Sequence, residues 1–203
     1  MSKAKKMTWR EKQKKETRRV ILDAAYTLFA EKGYEKTTMR ALADCAGIGL
    51  GTIFNFFPDK PSLLVAAYLE DMGEVINEAF KFLPDNGIKS QLVFITLQIY
   101  KFYEKNPLFS RTLLKESIFL EGEHGEQLDA QLMGFMIQIS ELFKKAIERS
   151  ELTSDTDPNE ATLAYSSFYF SCLVMGLKQP KFNAVEQVKL VEGLIHNHFF
   201  KNR

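Results

Sequence analysis

Two short helical stretches that meet at one glycine constrain this chain more than any other feature. Residues 37–57 read TTMRALADCAGIGLGTIFNFF. Met39, Leu42, Ala43 and Ala46 share one face of a first short helix, Gly47 stops it, and a second starts near Leu50 and ends before Pro58. Ala43 and Ala46 are small enough for two helices to approach closely. Gly47 supplies the backbone turn and Ile48 plugs the core beneath it. Gly49, Leu50, Gly51, Thr52 and Asn55 are left on the outer face of the second stretch. This is the layout of a helix-turn-helix.

The flanks read as helix too. From about Glu11 to Lys32, Val20, Ala24 and Leu28 join Ile21, Ala25 and Phe29 in one apolar stripe, and Gly33 follows as a stop. Thr37 is placed to cap the next helix. Asp59 caps a long fourth helix with Pro61 in its first turn. Helices are expected over 60–82, 89–105, 108–120, 126–150, 158–178 and 184–201. The breaks are Pro84 to Gly87, Asn106-Pro107, Glu121 to Gly125, Ser150 to Pro158 and Gln179-Pro180. No alternating strand pattern occurs, so the expected class is all-α.

At 203 residues, with 45% apolar and 26% charged residues, the chain buries a core without staples. No apolar run approaches the roughly twenty residues of a membrane helix, and no apolar region follows the basic start as in a secretory signal. Cys45 and Cys172 lie far apart and read as reduced thiols, Cys45 as a small packing residue, so a cytoplasmic location is expected. The net charge of +1 hides an asymmetry: residues 1–62 carry +6 and residues 63–203 carry −5. A basic segment holding a helix-turn-helix is a candidate for a polyanion, with its second helix in the DNA major groove.

Over residues 20–64 the sequence resembles the TetR-type family of bacterial transcriptional regulators. The resemblance rests on ILDAAYTLFAEKGYEKTTMRALADCAG, on IGLGTIFNFFPDK and on Leu63-Leu64. Within it stand Thr38-Met39-Arg40, Ala46-Gly47-Ile48, Gly51-Thr52-Ile53-Phe54 and Phe57-Pro58-Asp59-Lys60. It implies a basic arm over 1–13, a DNA-binding domain over 14–74 with its motif at about 38–57, and a ligand-binding and dimerisation domain over 75–203. Its implied DNA-binding residues are Thr37, Thr38, Arg40, Gly49, Leu50, Gly51, Thr52, Phe54, Asn55 and Lys60. Thr38 and Lys60 would hold phosphates, and Arg40, Leu50, Thr52 and Asn55 would touch base edges. Phe54 stands where the family often has a phosphate-binding tyrosine, Asn55 where histidine or tyrosine is frequent, and Gly49 where a small polar residue is common. Lys3, Lys5, Lys6, Arg10, Lys12, Lys14, Lys15, Arg18 and Arg19 precede the scaffold and are candidates for the DNA backbone or minor groove.

The acidic remainder holds 13 of the 17 phenylalanines, first of all a statement about core. The resemblance raises a pocket between the middle helices, and Phe94, Phe102, Tyr103, Phe109, Met133, Met136, Phe168 and Cys172 are its candidates for an apolar or aromatic small-molecule effector. Arg111, Lys115, Glu116, Glu121 and His124 are candidates for a polar head group. Residues 158–178 and 184–201 carry apolar residues on more than one face. A homodimer interface is expected there, with Phe168, Leu173, Leu177, Val188, Val191, Ile195 and Phe199 as its candidates. The Glu121–Glu126 cluster reads as a solvated loop and not as a metal site. No phosphate loop, nucleophile elbow or HExxH is present, so no catalytic, metal or cofactor residues are expected. The expected function is a dimeric repressor released from a near-palindromic operator in double-stranded DNA by its effector. Two alternatives stand beside it: a ligand-independent DNA-binding protein of this fold, and an all-α ligand-binding or interaction module that does not bind DNA.

Overall fold

The computed structural model describes residues 8–200, the side chain of Ala30 excepted; Lys3, Lys5 and Lys6 lie outside that range. The described residues form helices α1 (Trp9–Lys32), α2 (Met39–Cys45), α3 (Leu50–Phe56), α4 (Lys60–Lys81), α5 (Ile88–Lys105), α6 (Pro107–Ser117), α7 (Gly122–Glu148), α8 (Pro158–Lys178) and α9 (Ala184–Phe199), with no strand among them. The fold is all-α.

Local chemistry sets the ends. α1 starts two residues before Glu11 because Thr8 and Glu11 form a reciprocal capping box, each side chain bonded to the other's backbone N–H. The cap of α2 is Thr38 and not Thr37: Thr38 Oγ1 accepts from Ala41 N at 3.1 Å. Thr37 is buried, and its hydroxyl donates back to Gly33 O at 2.8 Å. Gly47 takes φ 66°, a left-handed conformation that disfavours any side chain. α7 begins at Gly122, so Glu123 to Glu126 are helical and not a solvated loop.

The chain forms two compact units. The first takes the described residues up to Tyr68 together with Thr112–Gly125, and the second takes Leu69–Arg111 and Glu126 onward. In the first, Ile21, Ala25, Leu28 and Phe29 of α1 are buried, with Leu42 and Ala43 of α2, Ile53 of α3 and Leu63 to Ala67 of α4. Ile53 and Phe57, one helical turn apart, anchor the inner side of α3. Full burial of such a side chain contributes about 1.5–3 kcal/mol.

In the second unit α9 packs on α5 and α8. The interior holds Leu92, Ile95, Ile99, Tyr100, Phe143, Tyr165, Leu173, Phe182, Val191 and Ile195. Its two largest buried hydroxyl side chains are satisfied: Tyr165 shares a 2.9 Å bond with Thr96, and Tyr100 donates to Tyr169 O at 2.5 Å. Gly176 lies where an added Cβ would meet Gln187 and Phe182 within 2.8 Å, so its small size sets the α8–α9 approach. Arg111 donates to Leu177 O and, at 2.6 Å, to Gln179 O, placing a cation at the C-terminal end of α8.

Candidate nucleic-acid interface and effector cleft

The first unit presents α3 as an exposed face on a fixed base. Gly49, Leu50, Gly51, Thr52, Phe54 and Asn55 are exposed, while Ile53 and Phe57 point the other way and are buried. Leu50 keeps 37% and Phe54 46% of their accessible surface, more than a packing role leaves open. Thr38 and Arg40 are exposed at the start of α2. The turn between the helices is held by Ala46 N to Leu42 O at 2.9 Å and Ile48 N to Ala43 O at 3.0 Å. Ile48 is only half-buried, and Cys45 is exposed, so it is not the packing residue expected from the sequence.

Lys60 is used internally. Its ammonium donates to Tyr34 O at 2.7 Å and Thr37 O at 3.0 Å, and lies 4.0 Å from the Tyr34 ring centroid. It therefore ties the α1–α2 loop to the start of α4. Burial first, then the Glu116, Glu35 and Asp59 carboxylates, raises the Tyr34 phenol well above its usual range. His124 stacks on Phe57 with ring centroids 5.5 Å apart and is itself buried. Neither the use of Lys60 nor that of His124 carries a sequence signal, because each depends on residues distant along the chain. Lys115 pairs with Glu35 and Glu116, so these head-group candidates work inside the first unit.

The second unit has an open cleft of about 500 Å³ between the later turns of α4 and α5. Val75, Ala79, Phe82, Phe94 and Phe102 form its apolar lining; Glu74 and Glu78 lie on the α4 side, Lys101 and Lys105 on the α5 side. Two effector candidates, Phe94 and Phe102, meet there. Tyr103 is buried with its ring edge-on to Phe102, Phe109 and Met136 are half-buried, and Met133 is exposed. Phe168 packs edge-on to His198, and Cys172 is buried, which raises its thiol above the usual range. None of these last six lines the cleft. Among the described residues, no group of histidines, cysteines and carboxylates has the arrangement of a metal site.

The interface candidates divide. Leu173, Leu177, Val188, Val191 and Ile195 are buried in the chain's own core, and Phe168 and Phe199 are half-buried. Turned inward, the five buried residues have no surface to offer a partner. The outward apolar residues of the same helices are Leu163, Phe170 and Met175 on α8 and Val185, Leu190 and Leu194 on α9, all exposed.

Comparison with known proteins agrees with this geometry. Residues 21–67, which span α1 to α4, match the family model described as bacterial regulatory proteins, tetR family. The chain is 30% identical over 150 residues to the HTH-type transcriptional repressor KstR of Rhodococcus jostii, a match over 74% of this chain and 66% of that protein. It thus spans just under two thirds of that relative's length. Its fold is that of FadR from Bacillus subtilis, solved in complex with stearoyl-CoA (TM-score 0.72, 19% identity, 87% of this chain and 97% of that one). Thermus thermophilus FadR, a TetR-family transcriptional repressor solved with lauroyl-CoA, shares it as well (TM-score 0.69, 19% identity, 89% and 94%). The matched model lies on the segment that carries the exposed α3 face, so residues 21–67 of this chain are a segment of the tetR family of bacterial regulatory proteins.

Proposed function

We propose that this protein is a DNA-binding transcriptional repressor, not an enzyme, acting as a cytoplasmic homodimer. The observation that carries the reading is the α3 face: six neighbouring residues exposed on a helix whose other side is anchored by Ile53 and Phe57. Each copy would set one α3 in a major groove of a near-palindromic operator, with Thr52 and Asn55 at base edges and Leu50 and Phe54 against thymine methyls. Thr38 would hold a flanking phosphate, and Arg40 would reach a base edge. The outward residues of α8 and α9 would close the dimer, because a self-complementary apolar patch is covered by its own copy.

The effector would be a small amphipath with an apolar chain and an anionic head. Phe82, Phe94 and Phe102 offer it apolar surface, and Lys101 and Lys105 offer it charge. The fold shared with the two acyl-CoA complexes supports this class. α4 contributes both to the cleft and to the first unit, so a ligand that binds better to one α4–α5 spacing biases the reading head by differential affinity alone. Binding of the protein to its own upstream DNA, with and without lauroyl-CoA and stearoyl-CoA, tests the reading. Retention that falls with either thioester supports it. Retention indifferent to both removes this effector class, and no retention at any salt removes the repressor.

A further inference from the structure

We propose that the effector is a long chain with a polar group at each end: its anionic head lies at Lys101 and Lys105, its chain crosses α5 over Phe94, and a neutral hydroxyl at its far end meets the Lys89–Glu192 ion pair. The inference rests on the reading of the α4–α5 cleft as the effector's. What extends that reading is a second open cleft, of about 350 Å³, between the α4–α5 loop, the first turns of α5 and Glu192 of α9. Pro84, Val93 and Leu97 form its apolar lining. Phe94, half-buried, lines both clefts, so the two meet at one ring.

The register of α5 makes the path continuous. Ser90, Val93, Phe94 and Leu97 stand at i, i+3, i+4 and i+7, and Phe94, Gln98, Lys101 and Lys105 continue at i, i+4, i+7 and i+11. The stripes overlap at Phe94, so a chain lying on one runs onto the other. From Ser90 to Lys101 the helix rises about 17 Å, and from Lys89 to Lys105 about 24 Å. Carbon–carbon bonds of about 1.5 Å at tetrahedral angles advance about 1.25 Å each, so the path takes roughly 14 to 19 bonds, a chain of about sixteen carbons. The two ends differ in charge. Beside the first cleft Glu78 is taken by Lys81 at 3.2 Å, which leaves Lys101 and Lys105 against Glu74 alone and suits a carboxylate. In the second, Lys89 is held by Glu192 at 3.0 Å, and Ser90 and Asn86 line the same cleft. That end carries no net charge and offers both donors and acceptors. A second carboxylate there would face Glu192, and a methyl end would strip water from the ion pair without replacing its bonds. A hydroxyl, donor and acceptor at once, matches both partners.

Calorimetric titration of the full chain, free of DNA, compares ω-hydroxyhexadecanoate with hexadecanoate and hexadecanedioate, each below the concentration at which it forms micelles. The hydroxy acid should bind about two- to tenfold more tightly than hexadecanoate, the worth of one net hydrogen bond. ω-Hydroxyoctanoate should show no such advantage over octanoate, because it cannot span both ends. Lys89→Met should erase the advantage and leave hexadecanoate unchanged; the partly exposed ion pair contributes little to the fold, which thermal unfolding checks. Glu192→Gln, which leaves Lys89 unopposed, should shift the preference to the diacid. Equal or weaker binding of the hydroxy acid, or a preference that neither variant changes, overturns the inference and leaves the reading of the first cleft intact. Tightest binding of the diacid by the unmodified chain overturns it in favour of a charged far end. If none of the three long acids binds, the inference and the reading of the cleft both fall.

Discussion

Replacing Lys60 by methionine isolates what its ammonium does. Methionine keeps most of the apolar stem and removes the charge, the donors to Tyr34 O at 2.7 Å and Thr37 O at 3.0 Å, and the cation over the Tyr34 ring. A hydrogen bond involving a charged group contributes about 1.5–3 kcal/mol, and an exposed cation–π contact about 0.5–1 kcal/mol. Lys60 is half-buried, and water can reach part of the freed loop, so these terms do not add in full. The expected loss is about 2–3 kcal/mol, a large share of the about 5–15 kcal/mol typical of a domain. Urea unfolding followed by far-ultraviolet circular dichroism should show a lower midpoint at unchanged slope. The same variant should retain the salt dependence of DNA binding, because the lost charge faces carbonyls and not phosphate. A stability loss below about 0.5 kcal/mol, together with a salt slope reduced by about 1, would refute this reasoning and make Lys60 a phosphate ligand.

Leu190→Glu, on the outward face of α9, should give folded monomers in sedimentation, whereas Ile195→Ala, on the inward face, should cost about 2–5 kcal/mol of stability as a core truncation. Thr52→Ala and Asn55→Ala should each change the preferred bases by about 1–3 kcal/mol in binding-site selection, without altering the melting temperature. Gly47→Ala should cost about 1–2 kcal/mol in thermal unfolding from its left-handed backbone alone, since nothing lies within 4 Å of the added Cβ.

The helix-turn-helix was legible because its signals are local: Gly47, the small Ala43 and Ala46, and the spacing from Ile53 to Phe57 all act within one or two turns. The long helices were legible for the same reason, and α8 runs over the residues expected, Pro158–Lys178. Side-chain destinations across the chain were not. The family resemblance makes Lys60 a phosphate ligand, and no local signal points to the carbonyls it bonds, which lie 23 and 26 residues away. Glu121 to Glu126, with two glycines and several acids, read as a solvated loop, yet His124 finds Phe57 and the helix begins at Gly122. On α8 and α9, apolar residues occupy more than one face. Periodicity then shows that two sides are apolar, but not which side turns inward. The outward set became visible only once α9 was seated on α5. The cleft was half legible: Phe94 and Phe102 lie a little over two turns apart on one helix, but its other wall comes from α4.

Binding-site selection with the full-length protein and random-sequence duplex DNA, at low and moderate salt, tests the central claim most directly. If two copies present two α3 faces, the enriched sequences should contain inverted half-sites whose centres are separated by about 34–36 Å, one helical turn, or a multiple of it. Enrichment should be lost in Thr52→Ala,Asn55→Ala while the fold remains. Failure to enrich any sequence, or enrichment of a single half-site unchanged by that double substitution, would contradict the claim that this chain reads an operator through α3.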